Sequence, residues 1–336
     1  MSKTRHQVEV LTRDQVMERI DPLMNLNVRE VTHSPRTRVI VRPEGVILRP
    51  GGGGHTIEMA EDGVRSMAKY VGIPDNLPAR LNPDTFGKVA TELLERKERY
   101  SVLTNGGQIV SFHKPGQYRA TSPQKVFSIL EDVLGEDTIY SRAMVIRDSA
   151  IYIEAAAANE TPLARGDLMQ AGTAITFSPI GIIDPMVQSF ILRCQCTNGW
   201  ADYDAGGNFS YKYGEGDSIW QFFRRSVKKA YHAVDGIMAQ WRNLVEHQLE
   251  PEQRALILEG LLKEAGITGQ VADAVRAMAI ESPPENMYDA MNFLTYASSH
   301  LLTEPREVQR AQKAASRFLR EANPTQVCPV CHTVHN

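Results

Sequence analysis

Hairpin signals crowd one part of this 336-residue chain and vanish from the next, and that division limits the fold more than any other feature. Asn105-Gly106 stands between the apolar runs of "SVLTNGGQIVSFH". Asn and Gly tolerate the positive φ that a two-residue hairpin turn demands, so the pair predicts two antiparallel strands. Asp148-Ser149 divides "SRAMVIRDSAIYIEAA" in the same way, and "GTAITFSPIGII" and "SFILRCQCTNGW" supply further β-rich runs. Upstream, Val39-Ile40-Val41 and Val46-Ile47-Leu48 flank Pro43-Glu44-Gly45, a third hairpin. Helices lie between these runs. In "SPQKVFSILEDVLG", Ser122 is placed to cap, Pro123 to open the first turn and Gly135 to end the helix. The stretch "NPDTFGKVATELLERKERY" repeats Phe86, Val89, Leu93 and Leu94 at helical spacing.

After "GGNFSYKYGEGD" the pattern turns helical to about residue 322, broken at Pro251, Pro283-Pro284 and Pro305. The expected class is α+β: a mainly antiparallel sheet with packed helices, followed by a helical C-terminal half. Four segments follow: an N-terminal helical segment over 1–35, an α+β core over 36–212, a helical region over 213–322 and a Cys/His tail over 323–336.

Hydrophobic residues make up 42% and charged residues 23%, enough apolar matter to bury a core without staples. The net charge of −3 gives no global field attractive to nucleic acid, so such binding would need a local patch. Two helices offer one. In "WQFFRRSVKKAYHAV", Arg224, Arg225, Lys228 and Lys229 share a face, while Trp220, Phe223, Val227, Tyr231 and Val234 form the apolar face. Those cations suit a phosphate backbone, and Trp220, Tyr211 and Tyr213 are candidates to stack on bases. Arg306, Arg310, Lys313, Arg317 and Arg320 form a second basic face on the last helix. The alternative reading of both is a solvated bundle surface.

No catalytic constellation assembles from sequence: the chain lacks G-x-S-x-G, H-E-x-x-H, a Walker loop and the deaminase H-x-E with P-C-x-x-C. The Gly51–Gly54 run lacks the G-K-[ST] of a phosphate loop and reads as a linker. His33, His55, His113, His232, His247 and His300 are scattered. "MSKTRHQVEVLTR" has no apolar signal region and no apolar run approaches the roughly 18 residues needed to span a bilayer. The expected location is the cytoplasm, without a membrane partner.

The four cysteines fall in two close pairs, which suggests metal binding or packed thiols more than a disulfide framework. Cys194 and Cys196, two apart on a strand, would share a face and pack as small hydrophobes. Cys328, Cys331, His332 and His335 in "CPVCHTVHN" make a candidate structural zinc site. Closure within one tail, with Cys194 and Cys196, or between the Cys328 and Cys331 pairs of two chains all remain open.

Three motifs, in order over roughly residues 45–305, resemble a family of phage- and plasmid-encoded proteins, domain of unknown function 932. They are Arg193, Cys196, Thr197, Asn198 and Gly199 at the end of a central strand, Tyr118, Pro123 and Phe127 entering a helix, and Asn292, Thr295 and His300 late in the chain. Arg193, Thr197, Asn198 and Gly199 read as a structural turn, since Asn and Gly permit tight backbone geometry. The resemblance implies a mobile-element protein and carries no catalytic residues. Together with the basic faces it suggests a nucleic-acid transaction protein that binds or anneals single-stranded DNA without catalysis, as a homo-oligomer in a bacterial host. The alternatives are an anti-defence or host-interaction protein binding a protein or nucleotide and, third, a metal-dependent enzyme.

Overall fold

A computed structural model describes residues 10–24, 29–33, 37–51, 55–74, 77, 80–97, 99–115, 121–146, 149–163, 167–194, 199–201, 208–211 and 218–322. The elements, in order, are α1 (Arg13–Arg19), α2 (Asp21–Met24), β1 (Arg29–His33), β2 (Thr37–Arg42), β3 (Gly45–Pro50), β4 (Ile57–Met59), α3 (Glu61–Val71) and α4 (Pro83–Glu95). The hairpin β5 (Tyr100–Asn105) and β6 (Gln108–His113) precedes α5 (Pro123–Leu134). Then come β7 (Ile139–Ile146), β8 (Ala150–Pro162), β9 (Leu168–Phe177), β10 (Met186–Arg193), β11 (Gly199–Ala201) and β12 (Asn208–Ser210). Helices α6 (Ile219–Glu246), α7 (Pro251–Ala265), α8 (Gly269–Glu281) and α9 (Met287–Tyr296) follow, with a π-helical turn (Ala297–Leu301) before α10 (Pro305–Glu321). The class is α+β, with antiparallel strands dominating and a helical C-terminal half. Arg29–His33, expected within an N-terminal helical segment, is instead a strand: it pairs with β5 along its length.

The strands form two sheets rather than one. The first has the order β1-β5-β6-β4-β3-β2, antiparallel except for β4 against β6. The β5–β6 hairpin is present, but its two turn residues are Gly106 (φ 58°) and Gly107 (φ 86°), one position later than the Asn105-Gly106 pair predicted, and Asn105 ends β5 opposite Gln108. Helices α3 and α4 cover one face of this sheet and bury Met67, Ala68, Phe86, Ala90 and Leu94 against Val39, Leu48, Val102 and Phe112. At the sheet edge, the Val39 N–H donates to Thr91 Oγ1 of α4 at 2.9 Å. Thus α4 satisfies a donor on edge strand β2, a position that would otherwise invite another strand.

The second sheet has the order β11-β10-β9-β8-β7, with β12 also pairing β10. Alternation along β8 sends Ile151, Ile153, Ala155 and Ala157 toward α5 and α6, and Tyr152 and Ala156 to the other face. Ser122 caps α5, accepting from the Lys125 N–H, and Pro123 occupies its first turn. Ser218 and Gln221 form a reciprocal capping box that starts α6. At 28 residues, α6 is about 42 Å long. Its first half packs Phe223, Val227 and Ala230 onto the second sheet. Its second half packs Val234, Met238, Trp241 and Leu244 among α7, α9 and α10. One helix therefore belongs to both cores. No helix among the described residues is long and apolar enough to cross a membrane.

Candidate functional site

The four cations predicted on α6 are all exposed, because the residues between them take the buried stripe: Phe222, Phe223, Ser226, Val227 and Ala230. Arg224 meets one carboxylate, Asp132 of α5, at 2.8 Å. Both side chains are more than half exposed, so water screens the pair and it contributes little to stability. Lys125 of α5 adds a fifth positive charge beside this face. Its Nζ lies 4.4 Å from the centroid of the Trp220 ring, a cation–π contact. Exposed His232 continues the row by one further turn.

The aromatic part of the expectation changes. Trp220, which the spacing also places on the apolar face, is half-buried, with its ring centroid 6.3 Å from that of Phe223 and Lys125 Nζ over the ring. Tyr211 is buried, with its ring 5.2 Å from that of Phe222. Both were drawn inward by the apolar stripe that orients α6. Tyr213 lies outside the described residues. On α10, Arg306, Arg310, Lys313, Arg317 and Arg320 are all exposed, as the spacing predicted, and Arg317 pairs with Glu264 at 2.9 Å.

Arg193, expected in the structural turn, is the last residue of β10. Its side chain is 21% exposed. Its Nε and Nη2 donate to Asp167 Oδ1 at 3.1 and 2.8 Å, and Nη2 also reaches Oδ2 at 2.6 Å. The Tyr288 hydroxyl, from α9, donates to the same Oδ2 at 3.1 Å, and the guanidinium lies 5.7 Å from the Tyr288 ring centroid. Burial pushes the Tyr288 hydroxyl far above the ordinary tyrosine range, a shift that the Arg193 charge partly opposes. The group ties the end of the second sheet to the helical half. Its polar atoms are engaged with one another, which suits a structural lock better than a reactive centre.

A second lock was invisible in the sequence. Glu154 of β8 is buried and accepts from Tyr152 Oη at 2.8 Å and Ser141 Oγ at 2.9 Å, with Arg142 Nε 4.0 Å away. Arg142 Nη2 donates to the carbonyls of Ser298 and Ser299 in the π-helical turn, at 3.2 and 2.9 Å. The late motif of the resemblance packs here: Thr295 is buried and donates to the Asn292 carbonyl, while Ser298 donates to that of Thr295.

Cys194 stands one residue past β10 and is half-buried, so the expectation of two thiols packed on one strand face does not hold for it. Its N–H reaches back to the Leu168 carbonyl at 2.8 Å, closing the end of the ladder. Gly199 opens β11 opposite Leu192. Cys196, Thr197, Asn198, Tyr118 and the Gly52–Gly54 run lie outside the described residues, as does the whole tail with Cys328, Cys331, His332 and His335. Among the described residues no three His, Cys, Asp or Glu side chains gather as a metal site would require.

The chain matches no known protein-family profile, no curated protein and no solved structure.

Proposed function

We propose that this is a phage- or plasmid-encoded nucleic-acid transaction protein, related to the domain of unknown function 932 family, that binds or anneals single-stranded DNA without catalysis. The observation that carries this reading is the outward face of α6, where Arg224, Arg225, Lys228 and Lys229 stand exposed beside Lys125. With Trp220 and Tyr211 packed inward, the contacts are to phosphates rather than to stacked bases, and binding is insensitive to sequence. The exposed cations of α10 offer a second track, and a homo-oligomer in the host cytoplasm would align such faces along one strand.

The test is a salt titration of oligonucleotide binding. Replacing Arg224, Arg225, Lys228 and Lys229 by Gln is expected to weaken binding and flatten its dependence on salt by roughly three units of log–log slope. The melting temperature should hardly move, because all four side chains are exposed. Absence of binding by the unaltered protein at low salt would end this reading and leave the alternative, a protein that captures a host partner.

The same reading gives the tail a structural zinc on Cys328 and Cys331, with His332 and His335 in reach. Protein purified without added metal is expected to hold about one zinc per chain if the site closes within a chain, or about one per two chains if two tails share it, following four-ligand stoichiometry. Cys328→Ser with Cys331→Ser should abolish it. A metal-free protein, kept reduced and away from chelators, would refute the site.

A further inference from the structure

Three parts of the fold meet around a cleft of about 690 Å³: α3 with the end of β6, the β7–β8 hairpin with the segment after β9, and the start of α10. A volume of this order suits a small molecule. The cleft is two-sided in character. Its floor is apolar, with Phe112 and Ala150 buried and Ile146, Ile182 and Ile183 half-buried. Its rim is cationic: Arg65, Lys69, Lys114 and Arg306 come from three separate elements and all are exposed. Two carboxylates also line it, Asp62 and Asp184. Asp62 accepts from Ser149 Oγ, and Arg65 pairs with Glu61, outside the lining. With Arg65 set against Glu61, Lys69, Lys114 and Arg306 face Asp62 and Asp184, which leaves the mouth positive by one charge.

A separate observation points to an occupant. Thr176 lines the cleft and is only 6% exposed, yet its Oγ1 has no hydrogen-bond partner among the described residues. A buried hydroxyl without a partner carries a desolvation cost that a bound molecule would offset.

We propose that this cleft binds a nucleoside phosphate, with the phosphates among Lys69, Lys114 and Arg306 and the base over the apolar floor. An anion alone would use the rim and leave the floor unfilled. A purely apolar ligand would gain nothing from the cationic rim. A polyanionic strand would have no need of a walled floor, and the surface of α6 lies on other elements. Because residues of three elements close on one ligand, occupancy should also raise the melting temperature.

The experiment is calorimetry and thermal melting with the mono- and triphosphates of adenosine, guanosine, cytidine and uridine, compared with the bare nucleosides and inorganic phosphate. Expected is saturable binding of at least one nucleotide at about one per chain, at least roughly tenfold tighter than its nucleoside or phosphate alone. The triple variant Lys69→Gln, Lys114→Gln, Arg306→Gln should lose roughly tenfold or more in affinity while melting like the parent. Thr176→Val should raise the melting temperature of the free protein and weaken the nucleotide, a pair of signs that simple loss of structure would not give. The four-Gln variant of α6 should bind the nucleotide unchanged. No saturable binding at millimolar nucleotide in low salt, equal affinity in the triple variant, or inorganic phosphate binding as tightly as any nucleotide would overturn the proposal.

Discussion

Gly172→Ala is expected to lower the melting temperature by at least about 4 °C, while Gly236→Ala should raise it slightly. The two glycines sit inside long elements and look alike in the sequence, so the opposite signs come from the structure. Gly172 lies in β9 where β8 bulges: the register runs from Ala156 opposite Gly172 to Glu160 opposite Gln170, leaving extra residues on β8. The bulge drives the β8 backbone onto β9, so a Cβ at 172 would lie 2.0 Å from the Ala155 carbonyl oxygen and 2.6 Å from Ala156 Cα. Both neighbours are main chain in the centre of a sheet and cannot swing aside as a side-chain tip would. Overpacking of a core costs about 1–3 kcal/mol when side chains can adjust. Here the strands themselves must part, so about 3 kcal/mol is a lower bound, which at roughly 1.4 °C per kcal/mol for a chain of this length gives the stated shift. Gly236, exposed in α6, has nothing within 4 Å of the added atom. Alanine there gains helix propensity of roughly 1 kcal/mol. Melting curves of the two variants against the parent check both signs. A Gly172→Ala protein that melts like the parent would mean that the β8 bulge is not held as described.

That contrast shows where sequence reasoning stops. Turns and caps were legible because their chemistry is local. Gly106 and Gly107 at the β5–β6 turn carry their φ freedom in their own atoms, and Ser122, Pro123 and Gly135 act within one turn of the helix they bound. The helical spacing of Arg224, Arg225, Lys228 and Lys229 put them on one face before any contact was known. The grouping of strands was not legible. β5 and β6 joined the first sheet and β7–β12 the second, yet the turn signals of the two sets are alike. What separates them is packing against α3 and α4 on one side and α5 and α6 on the other, at separations no local signal encodes. Tyr211 packs inward for a related reason: an aromatic beside a basic patch has the same pattern whether it faces the solvent or the core, whereas the half-buried Trp220 stands on the apolar face that its spacing marked. The cleft residues come from segments as distant as Asp62 and Gln309, and nothing in their spacing marks them as neighbours.

Replacing Asp167 by Ala should cost about 3 kcal/mol, close to the effect of Gly172→Ala but by electrostatics rather than by sterics. The change takes the carboxylate from a guanidinium whose side chain is 21% exposed and removes the acceptor of the Tyr288 hydroxyl. Breaking a buried ion pair costs 3–5 kcal/mol because the remaining charge keeps its desolvation penalty. The low end applies because Arg193 retains a path to water. Asp167→Leu combined with Arg193→Met removes both charges and should recover much of the loss, since apolar replacements of a buried pair are often neutral or better. Tyr288→Phe alone should cost about 1 kcal/mol, one hydrogen bond to a carboxylate that Arg193 still holds. A double-mutant cycle of the parent, Asp167→Leu, Arg193→Met and the two combined isolates the coupling between 167 and 193, expected to exceed about 1.5 kcal/mol for a bidentate, largely buried pair. Denaturant melts of the four proteins measure it. The cycle also decides what the arginine at the end of the central strand is for. Strong coupling, with nucleotide and oligonucleotide binding intact in the double variant, makes Arg193 a clamp between the second sheet and α9. A coupling near zero, with binding lost on substitution of Arg193, would move the arginine from the lock to a ligand site.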